Sequence, residues 1–257
     1  MPEDSPKAVV VIVHGVTEHC GRYSNMAHRF VSAQIGACGF DLRGHGRSAG
    51  HRGHVDRWQN YTSDLDRFLR TVRAAYPDVP VFLFGHSLGS LIVLSCVMEH
   101  PTAIRGAIVC GAAIEPVGVA RPHLVALARA FSLLWPTFSI SLRTKGKAAL
   151  SRDPRVEADF LADPLVNKSI TARFGTEGLA MIAAVKRRAH SVSLPLLVIH
   201  GGADPLNSVA GAQQFFHEVS SPDKDMIVYP DSYHEPHNDL DRDKVLADLC
   251  DWIEKHV

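Results

Sequence analysis

Six short aliphatic runs punctuate the chain, at residues 9–13, 35–40, 81–84, 107–110, 196–200 and 226–229. Most are continuously apolar rather than alternating, the pattern of strands covered on both faces in a parallel sheet. The run at 35–40 is weaker because Gly36 and Gly39 interrupt it. Between the runs the period lengthens towards 3.6. Leu65, Phe68, Leu69 and Val72 give residues 61–76 one apolar helical face, residues 91–100 are apolar nearly all round as in a buried helix, and a last helix is expected over 243–256. Alternating strands and helices imply a doubly wound, mostly parallel α/β sheet with right-handed crossovers.

One interval breaks the alternation. No convincing strand is visible from about residue 115 to 193, far beyond an ordinary connection. A helical pattern of Leu124, Leu127, Ala128, Phe131, Leu134 and Trp135 precedes Pro136 and a polar, charged stretch. The chain therefore reads as a core over 1–115 and 194–257, with a helical cap inserted at 116–193. A fold of six principal strands is expected, with no β-hairpin before Ala8.

Composition narrows the function classes. Lys plus Arg equals Asp plus Glu at 27 each, so the formal charge is zero and the basic surplus of a nucleic-acid binder is missing. Five cysteines, Cys20, Cys38, Cys96, Cys110 and Cys250, are widely spaced without a Cys-x-x-Cys, which reads as reduced thiols in a cytoplasmic protein. The first apolar run is too short for a signal-peptide core, and no stretch approaches the ~20 apolar residues that span a bilayer.

The strongest chemical signal is Gly85-His86-Ser87-Leu88-Gly89, which follows a strand directly and opens a buried helix. That context defines a nucleophile elbow, in which a sharp turn lifts the serine hydroxyl off the strand end. A second Gly-x-Ser-x-Gly, at Gly46 to Gly50, has neither strand nor helix beside it, so Ser48 reads as a loop residue. The serine needs a base, and the base an orienting acid, in the order Ser, Asp or Glu, His. Asp204 follows the fifth run and suits the acid; Glu115, after the fourth, is its rival. His217, His234, His237 and His256 follow Asp204, and His234 stands on a short loop after the sixth run, with His237 second. Backbone N–H groups of Val16 and Leu88 suit an oxyanion hole. No metal is called for: His51-x-x-His54 and His234-Glu-Pro-His237 are not His-Glu-x-x-His, and Pro236 opposes the helix that motif needs.

Taken together, His14-Gly-Val-Thr-Glu18-His19-Cys-Gly21-Arg22-Tyr23, Asp41-Leu-Arg-Gly44-His45-Gly46-Arg-Ser48, the elbow, Ser151-Arg-Asp-Pro154, Asp163-Pro-Leu-Val166 and His234-Glu-Pro-His237-Asn238 resemble the monoacylglycerol lipase and lysophospholipase group of α/β-hydrolases. The resemblance implies an α/β-hydrolase fold, no cofactor, and hydrolysis of carboxylic esters with one long acyl chain beneath a cap that touches lipid. It implies that Glu18, Arg22 and His237 line the alcohol side, and that Phe160 stands where a tyrosine is often found. Thr17 replaces a usual glycine, and only seven residues precede Ala8 where the family often carries two more strands. Leu127, Phe131 and Leu134 are expected to line an acyl tunnel or meet a membrane surface. A short-chain esterase, a thioesterase, a proline-type peptidase and a non-catalytic ligand-binding homologue remain alternatives on the same fold.

Overall fold

The four central aliphatic runs form strands buried on both faces, and the runs at 35–40 and 226–229 form edge strands that are partly buried. The computed structural model describes residues 1–2, 5–99, 104–118, 122–141 and 149–257. Along the chain, β1 (Ala8–Val13), α1 (Ser24–Ser32), β2 (Ile35–Gly39), α2 (Gln59–Ala75), β3 (Val81–His86), α3 (Leu88–Glu99) and β4 (Gly106–Cys110) make the first part of the core. After the inserted segment, β7 (Leu196–Gly201), α7 (Val209–Glu218), β8 (Lys224–Tyr229) and α8 (Arg242–Lys255) complete it. The six strands join in the order β2-β1-β3-β4-β7-β8, and every pairing is parallel. β2 stops at Gly39, one residue short of the run that predicts it.

Successive side chains on a strand point to opposite faces, and β1 shows the consequence. Val9, Val11 and Val13 pack with Leu65 and Leu69 of α2 and Ile92 of α3, whereas Ala8, Val10 and Ile12 pack with Phe30 of α1 and Leu249 of α8. The helix α3 is buried on every side from Leu88 to Met98, as its sequence predicts. His100, the last residue of that expected helix, lies outside the described residues.

The inserted segment contains α4 (Pro122–Leu134), β5 (Ser139–Ser141), α5 (Pro154–Ala162), β6 (Ser169–Thr171) and α6 (Ala172–Arg188). The two strands correct the expectation of none. They pair antiparallel, Ser139 with Thr171 and Ile140 with Ile170. Three residues are too few to show a period of two, and the pairing is made by chain segments that meet only in the tertiary structure. The insert is tied to the core by backbone contacts: Asn167 N–H donates to the Thr17 carbonyl at 2.7 Å and Thr171 N–H to the Gly53 carbonyl at 2.9 Å. At α6 the Glu177 carboxylate accepts the Trp58 N–H at 2.8 Å, while Phe174 and Val185 join the core cluster. No helix among the described residues is long and apolar enough to cross a membrane.

Packing is tight where β1 ends under the start of α3. A methyl group on Gly89 would fall on the Val13 carbonyl oxygen and within 2.7 Å of the His14 carbonyl, both backbone atoms that cannot swing aside. Gly89→Ala should therefore cost at least about 2–3 kcal/mol, seen as a lowered unfolding midpoint in thermal or urea melts.

Candidate active site

The turn between β3 and α3 places Ser87 at φ 50°, a left-handed conformation that costs a non-glycine residue roughly 1–3 kcal/mol. The surroundings enforce it. Ser87 N–H donates to the Cys110 carbonyl at 2.9 Å, and the Ser90 hydroxyl donates to the Gly85 carbonyl at 2.8 Å. A side chain on Gly85 would meet the Gly89 carbonyl at 2.5 Å, so the turn closes only with glycine there. The Ser87 hydroxyl lines a cavity of ≈ 670 Å³ shared with His234. It has no hydrogen-bond partner among the described residues.

Asp204 sits in the loop after β7 with its side chain fully buried. Its Oδ1 accepts the N–H groups of Leu206 and Asn207 at 2.8 and 3.1 Å, and its Oδ2 accepts from His234 Nδ1 at 2.8 Å. Burial alone would raise the pKa of this carboxyl, but the bonds from His234 and the two backbone N–H groups outweigh it and hold the pKa below the ordinary value. The bond fixes the His234 tautomer with its proton on Nδ1, so Nε2 remains an acceptor. The rival acid Glu115 pairs instead with Lys186 at 3.1 Å. Ser48 donates to the Asp41 carbonyl at 2.6 Å within its loop and lines a different cavity. His217 is exposed on α7, and His256 bonds to the Trp252 carbonyl and to Asp223. His51 and His54 face one another, but both nitrogens of His54 are engaged, by Thr171 and Asp56.

Val16 and Leu88 both line the Ser87 cavity, and their N–H groups are without a partner among the described residues. Between β1 and α1 the loop that carries Val16 is strained at Thr17, φ 67°. It is held by Glu18, whose Oε1 accepts the Gly15 N–H at 2.6 Å and the Tyr23 hydroxyl at 2.7 Å. The same oxygen faces His86 Nδ1 at 3.2 Å, while His86 Nε2 faces the His234 carbonyl at 3.2 Å. Arg22 joins Glu18 to Glu235, bonding Glu18 Oε2 and both Glu235 oxygens, the latter at 2.8 and 2.9 Å.

This network relocates two residues that the resemblance implies for the alcohol side. Glu18 touches the cavity although only 2% exposed, and Phe160 lines it with the Arg22 guanidinium 4.9 Å from its ring centroid. Arg22 and His237 do not reach the cavity lining. The Arg22 guanidinium is spent on two carboxylates. His237 is stacked on Tyr23 at 5.2 Å, and burial and the His86 imidazole beside it push its pKa down to about 3, leaving it neutral. Burial would also raise the Glu18 pKa, but Arg22 and His86 overcome it and hold the carboxyl well below its ordinary value. His86 moves the other way: burial disfavours its charge, and the Glu18 bond and charge raise its pKa nonetheless.

Nor does α4 supply an acyl wall. Leu127 and Leu134 are 54% and 87% exposed, and Phe131 is half-buried with its ring stacked on Phe138 at 4.3 Å. None of the three lines the cavity, and the Leu124 side chain lies outside the described residues. Within the insert, α6 supplies apolar lining instead, through Phe174, Leu179 and Ile182, together with Leu161 of α5 and Ile170 of β6. Sequence reasoning passed over these residues, and over His86 and Glu235. Leu179 and Ile182 carry a helical spacing, and Glu235 directly follows the candidate base, but neither signal separates a cavity wall from ordinary core.

Comparison with known proteins gives a consistent result. The Hydrolase_4 family model, described as serine aminopeptidase S33, matches residues 4–241. A monoacylglycerol lipase of Mycolicibacterium smegmatis is 34% identical over 257 residues, covering 100% of this chain and 91% of the relative. The mouse monoglyceride lipase is 31% identical over 262 residues, covering 100% and 85%. The crystal structure of the Paleococcus ferrophilus monoacylglycerol lipase superposes with a TM-score of 0.90 at 29% identity, covering 98% of this chain and 96% of that one. Full-length similarity of this kind, on a six-stranded parallel sheet with an elbow after β3, makes the chain a member of the monoacylglycerol lipase-like α/β-hydrolases, a carboxylic ester hydrolase.

Proposed function

We propose that this hydrolase cleaves esters of a single acyl chain, of the monoacylglycerol or lysophospholipid type, with Ser87, Asp204 and His234 as its catalytic triad. The observation that carries the reading is the 2.8 Å Asp204–His234 bond beside a left-handed Ser87 in one largely apolar cavity. His234 Nε2 takes the Ser87 proton as the hydroxyl oxygen attacks the ester carbonyl, while Asp204 stabilises the imidazolium that forms. The Val16 and Leu88 N–H groups hold the oxyanion, and Leu88 adds the positive end of α3. His234 then gives its proton to the departing alcohol. Water attacks the acyl-enzyme by the same route and releases the fatty acid. The relatives are called monoacylglycerol and monoglyceride lipases, and the apolar wall of α6 suits an acyl chain better than a peptide.

The exposed side of α4 offers a surface for contact with a lipid phase. Leu133, Leu134 and Trp135 are 76%, 87% and 58% exposed in one stretch, and Leu127 is exposed a little further back. Apolar exposure so concentrated marks a surface that meets another phase, and for a lipid ester that phase is a membrane or micelle.

Three measurements test these statements. Ser87→Ala should lower kcat by on the order of 10⁶ and abolish labelling by a fluorophosphonate probe, with Ser48→Ala still active; the reverse result would remove Ser87 from the mechanism. Glu18→Gln tests the loop support. The folded Glu18 carboxyl titrates below its ordinary 4.5, so its contribution is complete above that pH and drains away as pH falls through the depressed value. The variant should lose about 3 kcal/mol at pH 7 and up to about 10²-fold in kcat, with the stability gap closing on acidification below pH 4.5. An unchanged gap at pH 3 to 4 would contradict the assignment. Replacing Leu133 and Leu134 together by Ser should weaken co-sedimentation with phospholipid vesicles about tenfold or more, since each leucine buried in lipid is worth roughly 1.5–3 kcal/mol. Hydrolysis of a water-soluble ester should change less than twofold.

A further inference from the structure

Two glycines of α6 have no reason within the fold to be glycine. Glycine is among the poorest helix formers, and elsewhere in this chain it is needed. A side chain on almost any other described glycine would meet a neighbour within 4 Å, often backbone, as at Gly85, Gly89, Gly201 and Gly202. Three described glycines meet nothing within 4 Å among the described residues: Gly118, Gly175 and Gly178. Gly118 has φ +75° and needs glycine for that reason. Gly175 and Gly178 have ordinary helical backbone and open space beside them.

The open space is the cavity of Ser87. Gly175, Gly178, Leu179 and Ile182 all line it. Their spacing of i, i+3, i+4 and i+7 puts them on a single face of the helix. The opposite face is used by the fold, with Glu177 accepting the Trp58 N–H. Leu91 and Ile170 line the same cavity, so the space beside the glycines is apolar as well as open. Two missing side chains on adjacent turns leave open space along this face of the helix.

We infer that the acyl chain of the substrate crosses this face of α6, and that Gly175 and Gly178 set the bore of its channel and so determine selectivity for long acyl chains. The helix tolerates two poor formers because the side chains they lack would occupy the place of the substrate. The inference rests on the ester-hydrolase reading above and names the specificity wall of that site.

The test separates the two. Wild-type protein, Gly178→Ala and Gly178→Leu are compared on p-nitrophenyl butanoate and p-nitrophenyl dodecanoate, and their thermal midpoints are measured without substrate. Gly178→Ala should raise Tm by roughly 2–4 °C, because a helix interior gains from alanine where nothing is crowded. Gly178→Leu should keep a cooperative melt and lower the ratio of kcat/KM for dodecanoate to that for butanoate at least tenfold, since each methylene excluded from an apolar channel forfeits about fourfold. An unchanged ratio in folded Gly178→Leu, or a Tm lowered by Gly178→Ala, would overturn the inference. Should Gly178→Leu fail to fold, the ratio for Gly178→Ala and for Gly175→Ala decides, with a fall of twofold or more expected and no fall counting against it. A wild-type protein that hydrolyses neither ester would sink the ester-hydrolase reading itself, a result distinct from an active enzyme whose length profile ignores the glycines.

Discussion

The Glu18 carboxylate, almost without solvent, is joined to more of the site than any other side chain. It bonds the backbone of Gly15, the hydroxyl of Tyr23, the guanidinium of Arg22 and the imidazole of His86. Through Gly15 it fixes the loop that presents Val16, and through His86 it reaches the main chain of His234. Through Arg22 it is coupled to Glu235, the residue directly after the candidate base. An isolated carboxylate in such a place would be protonated or would draw in water. It remains charged because Arg22, His86 and Tyr23 bond to it.

That constraint explains why Arg22 and His237 do not line the cavity. A guanidinium shared by two buried carboxylates has its donors committed, and turning it into the cavity would strand two charges. His237 is confined between Tyr23 and His86 and is neutral. The network thus shapes the loops around Ser87, and of its members only Glu18, His86 and Glu235 line the cavity directly. Positioning by a preformed charge network costs no rearrangement when the oxyanion forms, which is the condition under which backbone donors are most effective.

The sheet was legible because burial on both faces leaves a plain sequence trace: Val9 to Val13 is apolar throughout, and its alternate residues enter separate clusters. The elbow was legible because its context is local, with β3, Ser87 and α3 contiguous in the chain. The order of Asp204 and His234 along the chain was equally readable, although only tertiary structure brings them to 2.8 Å. What escaped depends on long-range geometry. β5 and β6 are three residues each and find one another across about thirty positions of intervening chain. The apolar residues of α4 and α6 have similar patterns in sequence, yet α4 turns Leu133 and Leu134 outwards and α6 turns Leu179 and Ile182 into the cavity. A hydrophobic period says that a face is apolar, and it does not say whether core, ligand or lipid covers it.

The same limit makes glycine the more informative residue in this fold. At Gly85 and Gly89 the backbone of neighbouring segments occupies the space a side chain would need, and the elbow exists because of that crowding. At Gly175 and Gly178 the space is empty, so the identical residue marks an opening rather than a contact. Crowding at one end of the cavity holds Ser87 in a strained turn and fixes its position. Openness at the α6 wall leaves room on the apolar side of the cavity. Rigidity is therefore concentrated in the backbone around the reacting atoms, where displacement is costly, and room is concentrated where only apolar contact is required. A site divided in this way can hold one chemistry constant while its selectivity shifts through side chains on a single helical face.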